Sequence, residues 1–402
     1  MNQPSTQSSP APRTGLGVYV QVPFCQAKCS YCNFSTGVFR SELYGSYAEA
    51  VRQEILRHAT LCRCTGLRRW QNETQQFAAE TLYIGGGTPS LLDPAALARM
   101  VQAVRDAFPG PLAEVTLEAD PETITEEKAR AWRDAGFNRI SLGAQSFDDR
   151  ELKAVGRRHR RADIYAAAQA LGAAGFDNLS FDLIAGLPHQ TAESWQASLD
   201  ALLDLAPAHI SIYMLELDEG SRLGRESLAG GARYGVPALP DDDAAADFYE
   251  RACEQLARRG YEHYEISNWA LPGRRSLHNI KYWRREPYLG FGSGAHSFDG
   301  VERFSNLHVP TDYVAAIRDG RAALDHRETL DSRQSLEEEL FLGLRQLEGI
   351  DLARIENRYR VALGDLVRPL AEEGLVEMVD GRLRLVPSRL TVSSEVFVRL
   401  LA

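Results

Sequence analysis

The feature that most constrains the fold is the alternation of short β-rich runs with helical stretches over the first half of the chain. Strands that alternate with helices of this length predict an α/β fold, a parallel sheet with right-handed crossovers. Side chains that carry function are then expected at the carboxyl ends of the strands. The six runs are GVYVQV (17–22), TLYI (81–84), EVTLE (114–118), RISLG (139–143), LSFDLI (179–184) and HISIYML (209–215). The helical stretches are predicted near residues 46–61, 93–108, 125–135, 161–174 and 193–204.

Three cysteines follow the first predicted strand in the run VQVPFCQAKCSYCNF, with C-x3-C-x2-C spacing: Cys25, Cys29 and Cys32. Four thiolates close a tetrahedral metal site, whereas three thiolates on a [4Fe–4S] cluster leave one iron open to an outside ligand. A zinc knuckle would need a fourth ligand, and the next histidine is His58. Three buried free thiols are the other alternative, but polar residues lie between the cysteines. The spacing therefore favours an iron–sulfur cluster.

This cysteine spacing resembles that of the radical S-adenosylmethionine (SAM) enzymes. The resemblance implies a [4Fe–4S] cluster on Cys25, Cys29 and Cys32, with SAM chelated to the open iron by its amine and carboxylate. An external electron donor then reduces the cluster, and SAM is split to a 5′-deoxyadenosyl radical. The family core is an open partial (β/α)6 barrel, and the six predicted β units agree with it, since a closed barrel has eight.

A glycine-rich segment, GGGTPS (85–90), follows the second predicted strand. Consecutive glycines let the backbone approach a ligand closely, although such a loop can also be only a tight turn. A phosphate-binding loop would require a lysine after the second glycine of its motif, and none follows here. Its place after strand two resembles the radical SAM segment that holds the methionine amine of SAM.

Five segments narrow the resemblance: YVQVPFC, GGGTPS, TLEADP, LGAQSF and DLIAGLP. They resemble the radical SAM branch that contains the oxygen-independent coproporphyrinogen III dehydrogenases and the haem chaperones. The match extends from about Gly17 to Tyr213 and continues weakly to the C-terminus. Any of the polar residues concerned could by itself be a solvated or ion-paired side chain. The resemblance implies SAM contacts at Tyr19, Tyr31, Gly86, Gly87, Thr88, Glu118, Gln145, Arg157 and Asp182.

Two features distinguish between the members of this branch. The dehydrogenases carry a fourth cysteine two residues after the third, and this chain has Phe34 there. The chaperones carry H-N-x-x-Y-W, and this chain has HNIKYW, which the resemblance implies as a haem-binding loop. A histidine beside aromatic rings can ligate haem iron. In an arbitrary protein the same letters would more often mark a loop with a core tyrosine and tryptophan and an incidental histidine. His296 and His159 are the alternative haem ligands. The residues implied for haem are His278, Asn279, Tyr282 and Trp283.

The expected function is therefore a haem chaperone that binds haem as cargo and transfers it to an acceptor haem protein. The alternative is an oxygen-independent coproporphyrinogen III dehydrogenase, which is a SAM-radical decarboxylase. In that case the basic run RRHRR (157–161) could bind the propionates of the substrate. That run could equally be a solvated helix start or a haem-propionate contact. A third alternative is a radical SAM protein with an unrelated substrate.

Composition restricts partners and compartment. The net charge of −10 argues against a general nucleic-acid binder, which would carry a basic face. No apolar run is long enough for an integral membrane segment. Residues 1–14 are polar and rich in Pro and Ser, so a disordered tail is expected there and not a signal peptide. With six cysteines and no secretory signal, a cytoplasmic location is expected.

The expected domains are the tail (1–14), a radical SAM core (15–240), an α/β extension that carries the HNxxYW loop (241–330) and a winged-helix-like α+β domain (331–402). In the last domain, Ser335 and Glu338 form an S-x-x-E pattern that predicts a helix start. Asp380-Gly381 predicts a hairpin turn. Acidic residues outnumber basic ones in this domain, which favours a structural or interaction role over DNA binding.

Overall fold

The structure is a computed structural model that describes residues 15–65 and 78–401, with side chains for 15–58 and 78–401. The tail expected at residues 1–14 lies outside the described residues. The six predicted β units are present as strands β1 (Leu16–Val22), β2 (Ala79–Gly86), β3 (Glu114–Ala119), β4 (Arg139–Gln145), β5 (Leu179–Ala185) and β6 (His209–Met214). The helices that connect or follow them are α1 (Glu42–Thr65), α2 (Pro94–Ala107), α3 (Glu126–Ala135), α4 (Asp149–Ala154), α5 (Arg161–Ala173) and α6 (Ala192–Asp204).

Strands β1 to β6 are parallel and lie side by side in chain order. The predicted fold class, an open α/β barrel of six parallel units with a small C-terminal domain, is confirmed. Each strand separates two faces because successive side chains point in opposite directions. In β3, Val115 and Leu117 are buried towards the helices, whereas Glu118 lines the interior of the barrel. The apolar face of the sheet packs against the helices and stabilises the fold, and the polar face lines the interior of the barrel.

Later strands extend this sheet at both of its edges. They and their helices are α7 (Arg222–Leu228), α8 (Asp242–Arg258), β7 (Glu262–Glu265), β8 (Asn268–Ala270), α9 (Leu277–Trp283), β9 (Tyr288–Phe291), β10 (His296–Phe298), β11 (Glu302–Asn306), α10 (Pro310–Arg318) and β12 (Leu324–Thr329). Strand β9 pairs with β1 in parallel, and β10 to β12 continue from it antiparallel. At the other edge, β8 pairs antiparallel with β6. The complete order is β12-β11-β10-β9-β1-β2-β3-β4-β5-β6-β8-β7.

The last part of the chain forms a small helical unit with its own three-stranded sheet. Its elements are α11 (Ser332–Leu344), β13 (Ile350–Asp351), α12 (Leu352–Tyr359), α13 (Gly364–Glu372), β14 (Val376–Val379), β15 (Arg382–Leu385) and α14 (Ser393–Leu400). The predicted hairpin turn is confirmed, since Asp380 and Gly381 both adopt positive φ between β14 and β15.

The predicted start of α11 at Ser335 was wrong. Asp331 caps the helix by accepting a hydrogen bond from the Gln334 N–H at 2.8 Å, and the Gln334 side chain accepts one from the Asp331 N–H at 2.9 Å. Ser335 is therefore already inside the first turn. Glu338 is engaged elsewhere, in an ion pair with Arg303 of β11 at 2.6 Å, and so ties α11 to the main sheet. None of the helices in the described ranges is long and apolar enough to span a membrane.

Candidate functional site

A cavity of about 450 Å³ opens at the carboxyl ends of the parallel strands, where ligand sites of such sheets are expected. Its walls come from the cysteine loop, the loop after β2 and the inward faces of β3 to β6. Most residues implied by the resemblance line it together. They are Cys25, Cys29, Tyr31, Cys32, Gly86, Gly87, Thr88, Glu118, Gln145, Arg157, Asp182 and Asn279.

The cysteine loop is held against the glycine-rich loop by backbone hydrogen bonds. The Gly87 N–H donates to the Val22 carbonyl at 2.8 Å, and the Thr88 N–H donates to the Phe24 carbonyl at 2.7 Å. A methyl group on Gly87 would lie 2.5 Å from the Phe24 carbonyl oxygen and 2.9 Å from Cys25 Sγ. Position 87 therefore has room only for glycine, and this close packing fixes where Cys25 is held.

The three thiols suit a cluster better than a single ion. In the described part of the chain, no group of three or more His, Cys, Asp or Glu side chains is spaced to hold one metal ion. Yet Cys25, Cys29 and Cys32 all line one cavity. Thiolates that each bind a different iron are spaced more widely than ligands of one ion, so this donor set fits a [4Fe–4S] cluster and does not fit a zinc knuckle. Burial raises the pKa of the Cys25 thiol to about 11.

Glu118 is the buried carboxylate of the cavity. It accepts hydrogen bonds from the Tyr83 hydroxyl at 2.7 Å and from the Gly86 N–H at 2.8 Å. Burial raises the pKa of Glu118 to about 7, although both hydrogen bonds act in the opposite direction. Burial also raises the pKa of Asp182 on β5, against hydrogen bonds from Ser211 and Ser141 and the charge of Arg139. Two carboxylates in a shielded cavity favour a ligand that brings positive charge or several donors.

Arg157 connects the three walls of the cavity. Its guanidinium forms an ion pair with Asp120 and donates to the Gly143 carbonyl at 2.7 Å and to Cys29 Sγ at 3.7 Å. Asp120 also accepts a hydrogen bond from Thr88 Oγ1 at 2.9 Å. Asp120 was missed at the sequence level. The period-two pattern of TLEADP contains the signal, because Asp120 lies two residues after Glu118 and points to the same face.

At pH 8, Glu118→Gln is expected to raise the free energy of unfolding of the metal-free chain by about 1–3 kcal/mol. Burial penalises the charged carboxylate of Glu118, and its pKa in the folded protein, about 7, therefore lies above its pKa in the unfolded chain. The stability that this group contributes is complete below the unfolded pKa and is lost as the pH rises through 7. Urea unfolding at pH 8 and pH 5 measures the effect, and the difference between variant and wild type should shrink at the lower pH. A difference that is the same at both pH values would contradict this origin.

HNIKYW forms a helix and not the predicted loop. The side chain of Ser276 caps α9, and the Glu114 carboxylate of β3 accepts the N–H groups of Leu277 and His278 at 2.9 and 3.0 Å. These contacts satisfy the free donors of the first turn, which explains why the segment is helical. Asn279 reaches the cavity, whereas Trp283 packs against the ring of Tyr264.

His278 points into the barrel and is only 1% exposed. Its Nδ1 lies 2.8 Å from Thr81 Oγ1, and its Nε2 lies 2.8 Å from the Tyr282 hydroxyl, so both ring nitrogens have partners. Burial, with the charges of Lys281 and Arg139, lowers the pKa of His278 to about 3 and keeps the ring neutral. Tyr19 lies beside this ring and donates to Gln21 Oε1 at 2.6 Å; it does not line the cavity.

Comparison with known proteins places the site in a family. The sequence model of the radical SAM superfamily matches residues 19–202, and that of the HemN C-terminal domain matches residues 330–388. The structure is similar to the solved structure of coproporphyrinogen III oxidase (HemN) from Escherichia coli, described as a radical SAM enzyme. The TM-score is 0.80 at 24% identity, over 97% of this chain and 91% of that one, and it supports the fold alone.

Relatives of known name match almost the whole chain. The heme chaperone HemW of Lactococcus lactis is 32% identical over 95% of this chain and 96% of its own length. The heme chaperone HemW of Bacillus subtilis is 31% identical over 94% and 97%. The bovine mitochondrial radical S-adenosyl methionine domain-containing protein 1 is 34% identical over 98% and 89%. The chain therefore belongs to the radical SAM superfamily and, within it, to the family of the heme chaperone HemW.

Proposed function

We propose that this chain binds haem and passes it to an acceptor haem protein, and that it carries a [4Fe–4S] cluster with SAM. Phe34 is the observation that carries the choice within the branch. It is 66% exposed at the rim of the cavity, where the dehydrogenases have a fourth cysteine. The full-length similarity to proteins named heme chaperone HemW supports the same function.

The residues of the cavity suit both cofactors. Cys25, Cys29 and Cys32 would hold the cluster, and Arg157 would stabilise negative charge on the Cys29 sulfur that it contacts. Bound together, the cluster and SAM supply one-electron chemistry, for which an electron donor is required. The glycine loop and the carboxylates of Glu118 and Asp182 would orient a ligand that carries an amine and ribose hydroxyls. Tyr31, Thr88 and Gln145 complete this set.

Haem binding by the HNIKYW residues stays a prediction. For His278 to reach haem iron, its bonds to Thr81 and Tyr282 would have to break, and α9 would have to leave the barrel. Release of the first turn would also remove two N–H donors from the buried Glu114 carboxylate. Such a movement opposes several buried hydrogen bonds, each with a net value of about 1 kcal/mol.

The alternative function, coproporphyrinogen dehydrogenation, finds less support in the basic run at 157–161. Arg157 is engaged with Asp120 and the Gly143 carbonyl. His159 is buried, with Nε2 3.0 Å from the Ala144 carbonyl. These two side chains are therefore structural and do not form an open patch for substrate propionates.

The reconstituted protein is expected to bind about one haem per chain and to leave coproporphyrinogen III unchanged. Anaerobic cluster reconstitution, followed by haem titration in the Soret region and a turnover assay with SAM and reductant on the same sample, tests both statements. Loss of haem from the loaded protein to a haem-free acceptor measures transfer. Conversion of coproporphyrinogen to protoporphyrinogen would reject the chaperone function in favour of the dehydrogenase.

A further inference from the structure

Three exposed histidines lie together on one face of the strands that follow β9. His296 of β10 is paired directly with Ser305 of β11, and Ser305 is paired directly with His326 of β12. Residues that are directly opposite in an antiparallel sheet share one face, so the two imidazoles flank Ser305, with roughly 10 Å between their strands. His308 follows the end of β11, and all three histidines are exposed.

This face lies next to the cysteine loop. A methyl group placed on Gly294 would lie 3.2 Å from His308 Nδ1 and 3.6 Å from Ser35 Oγ, so His308 and Ser35 approach each other across that glycine. Two strongly exposed apolar side chains adjoin them in the sequence, Phe34 at 66% and Val309 at 51% exposure. We call His296, His308, His326, Phe34 and Val309 the histidine face.

The histidines are available as ligands in the described structure. Within the residues whose side chains are described, neither His296 nor His326 makes a side-chain hydrogen bond. His308 Nε2 lies 3.8 Å from Asp325 Oδ2, and a carboxylate beside an imidazole is a common partner of metal-binding histidines.

A bare divalent cation fits this face poorly, because no described group of three such side chains is spaced for one ion. Iron in a porphyrin has four positions filled by the macrocycle and needs only one or two axial ligands. The macrocycle also covers apolar surface, which Phe34 and Val309 provide. Lys28 Nζ donates to the Phe34 and Thr36 carbonyls, both at 3.3 Å, and so lies beside Phe34 with a positive charge that would pair with a propionate.

We propose that the histidine face is the haem-binding surface of this chain, with His296, His308 or His326 as axial ligand of the iron. The proposal rests on the haem chaperone function. It places the haem beside the cysteine loop, on the outside of the sheet, and requires no movement of α9. An exposed site also suits transfer, since haem can pass to an acceptor without crossing the protein interior.

The test begins with haem titration of the wild-type protein with its cluster loaded. The triple variant His296→Ala, His308→Ala, His326→Ala is expected to bind haem roughly tenfold or more weakly, with a shifted Soret band. Its iron–sulfur absorption and far-UV circular dichroism should match the wild type. His189→Asn is the control, because it removes a histidine after β5 and asparagine tolerates the positive φ found there.

The outcomes separate the two proposals. Failure of the wild-type protein to bind haem would reject the chaperone function itself. Haem binding by the folded triple variant with wild-type affinity and spectrum would overturn the histidine face while leaving the chaperone function intact. His278→Ala provides the comparison, since loss of binding in that variant alone would assign the ligand to α9. The three single variants then identify which histidine binds the iron.

Discussion

Replacement of any one of Cys25, Cys29 and Cys32 by alanine is expected to abolish the [4Fe–4S] cluster. With SAM on the fourth iron, three thiolates are the minimum that holds all four irons, so loss of one leaves two irons without protein ligands. The three thiols line the same cavity. Of the three, Cys29 alone has its Sγ in contact with Arg157. Anaerobically reconstituted wild type should contain about four iron and four sulfide per chain, and each variant should contain close to none.

Cys253→Ala is the matched control, because Cys253 is a free cysteine on α8, outside the cavity. It should load the cluster as the wild type does. A complete cluster in the Cys29→Ala protein would show that a ligand outside the predicted set takes part. Zinc as the native metal of the wild-type protein would contradict the cluster itself.

Gly87→Ala is expected to reduce both cluster loading and SAM binding to a small fraction of wild type. The added methyl would lie 2.5 Å from the Phe24 carbonyl oxygen and 2.9 Å from Cys25 Sγ, so the cysteine loop and the glycine loop must move apart. Backbone groups cannot rotate away as a flexible side chain does, and overpacking of this kind costs about 1–3 kcal/mol. Iron content and equilibrium dialysis with SAM measure the two effects.

Gly172→Ala is the control, because it makes the same substitution at a glycine that is distant from the cysteine loop. Gly172 lies in α5, where an added Cβ would have no atom within 4 Å apart from its chain neighbours and the nearby backbone of its own helix. The same substitution should there leave the cluster intact and stabilise the chain by about 0.5–1 kcal/mol, because alanine favours helix. If Gly87→Ala loads iron and binds SAM as the wild type does, the contact between the two loops does not position Cys25.

The parallel core was predictable because its signals are local. Each of the six strands is a short apolar run, and the position of each site residue follows from the strand that precedes it. The cysteines follow β1, GGGTPS follows β2 and Glu118 ends β3, so a parallel sheet brings them together without further information. Alternation along β3 would also have indicated Asp120.

The surroundings of α9 and β9 to β12 could not be predicted in the same way, because they depend on contacts distant in sequence. The helix at HNIKYW is stabilised by Glu114, which lies 164 residues before His278. From the sequence, a histidine beside aromatic residues is expected to be an accessible ligand. In the structure, hydrogen bonds with Thr81 and Tyr282 hold His278 inside the barrel. Strands such as β10, with three residues, are too short for periodicity to reveal.

The position of β1 in the sheet determines when the sheet around the cysteine loop can be completed during translation. One neighbour of β1 is β2, but the other is β9, whose pairing runs from Gly17 with Tyr288 to Val20 with Phe291. Until Phe291 has left the ribosome, the strand that leads into the cysteines has an unpaired backbone edge. The residues that would hold the iron are thus translated more than 250 residues before the strand that completes the sheet beside them.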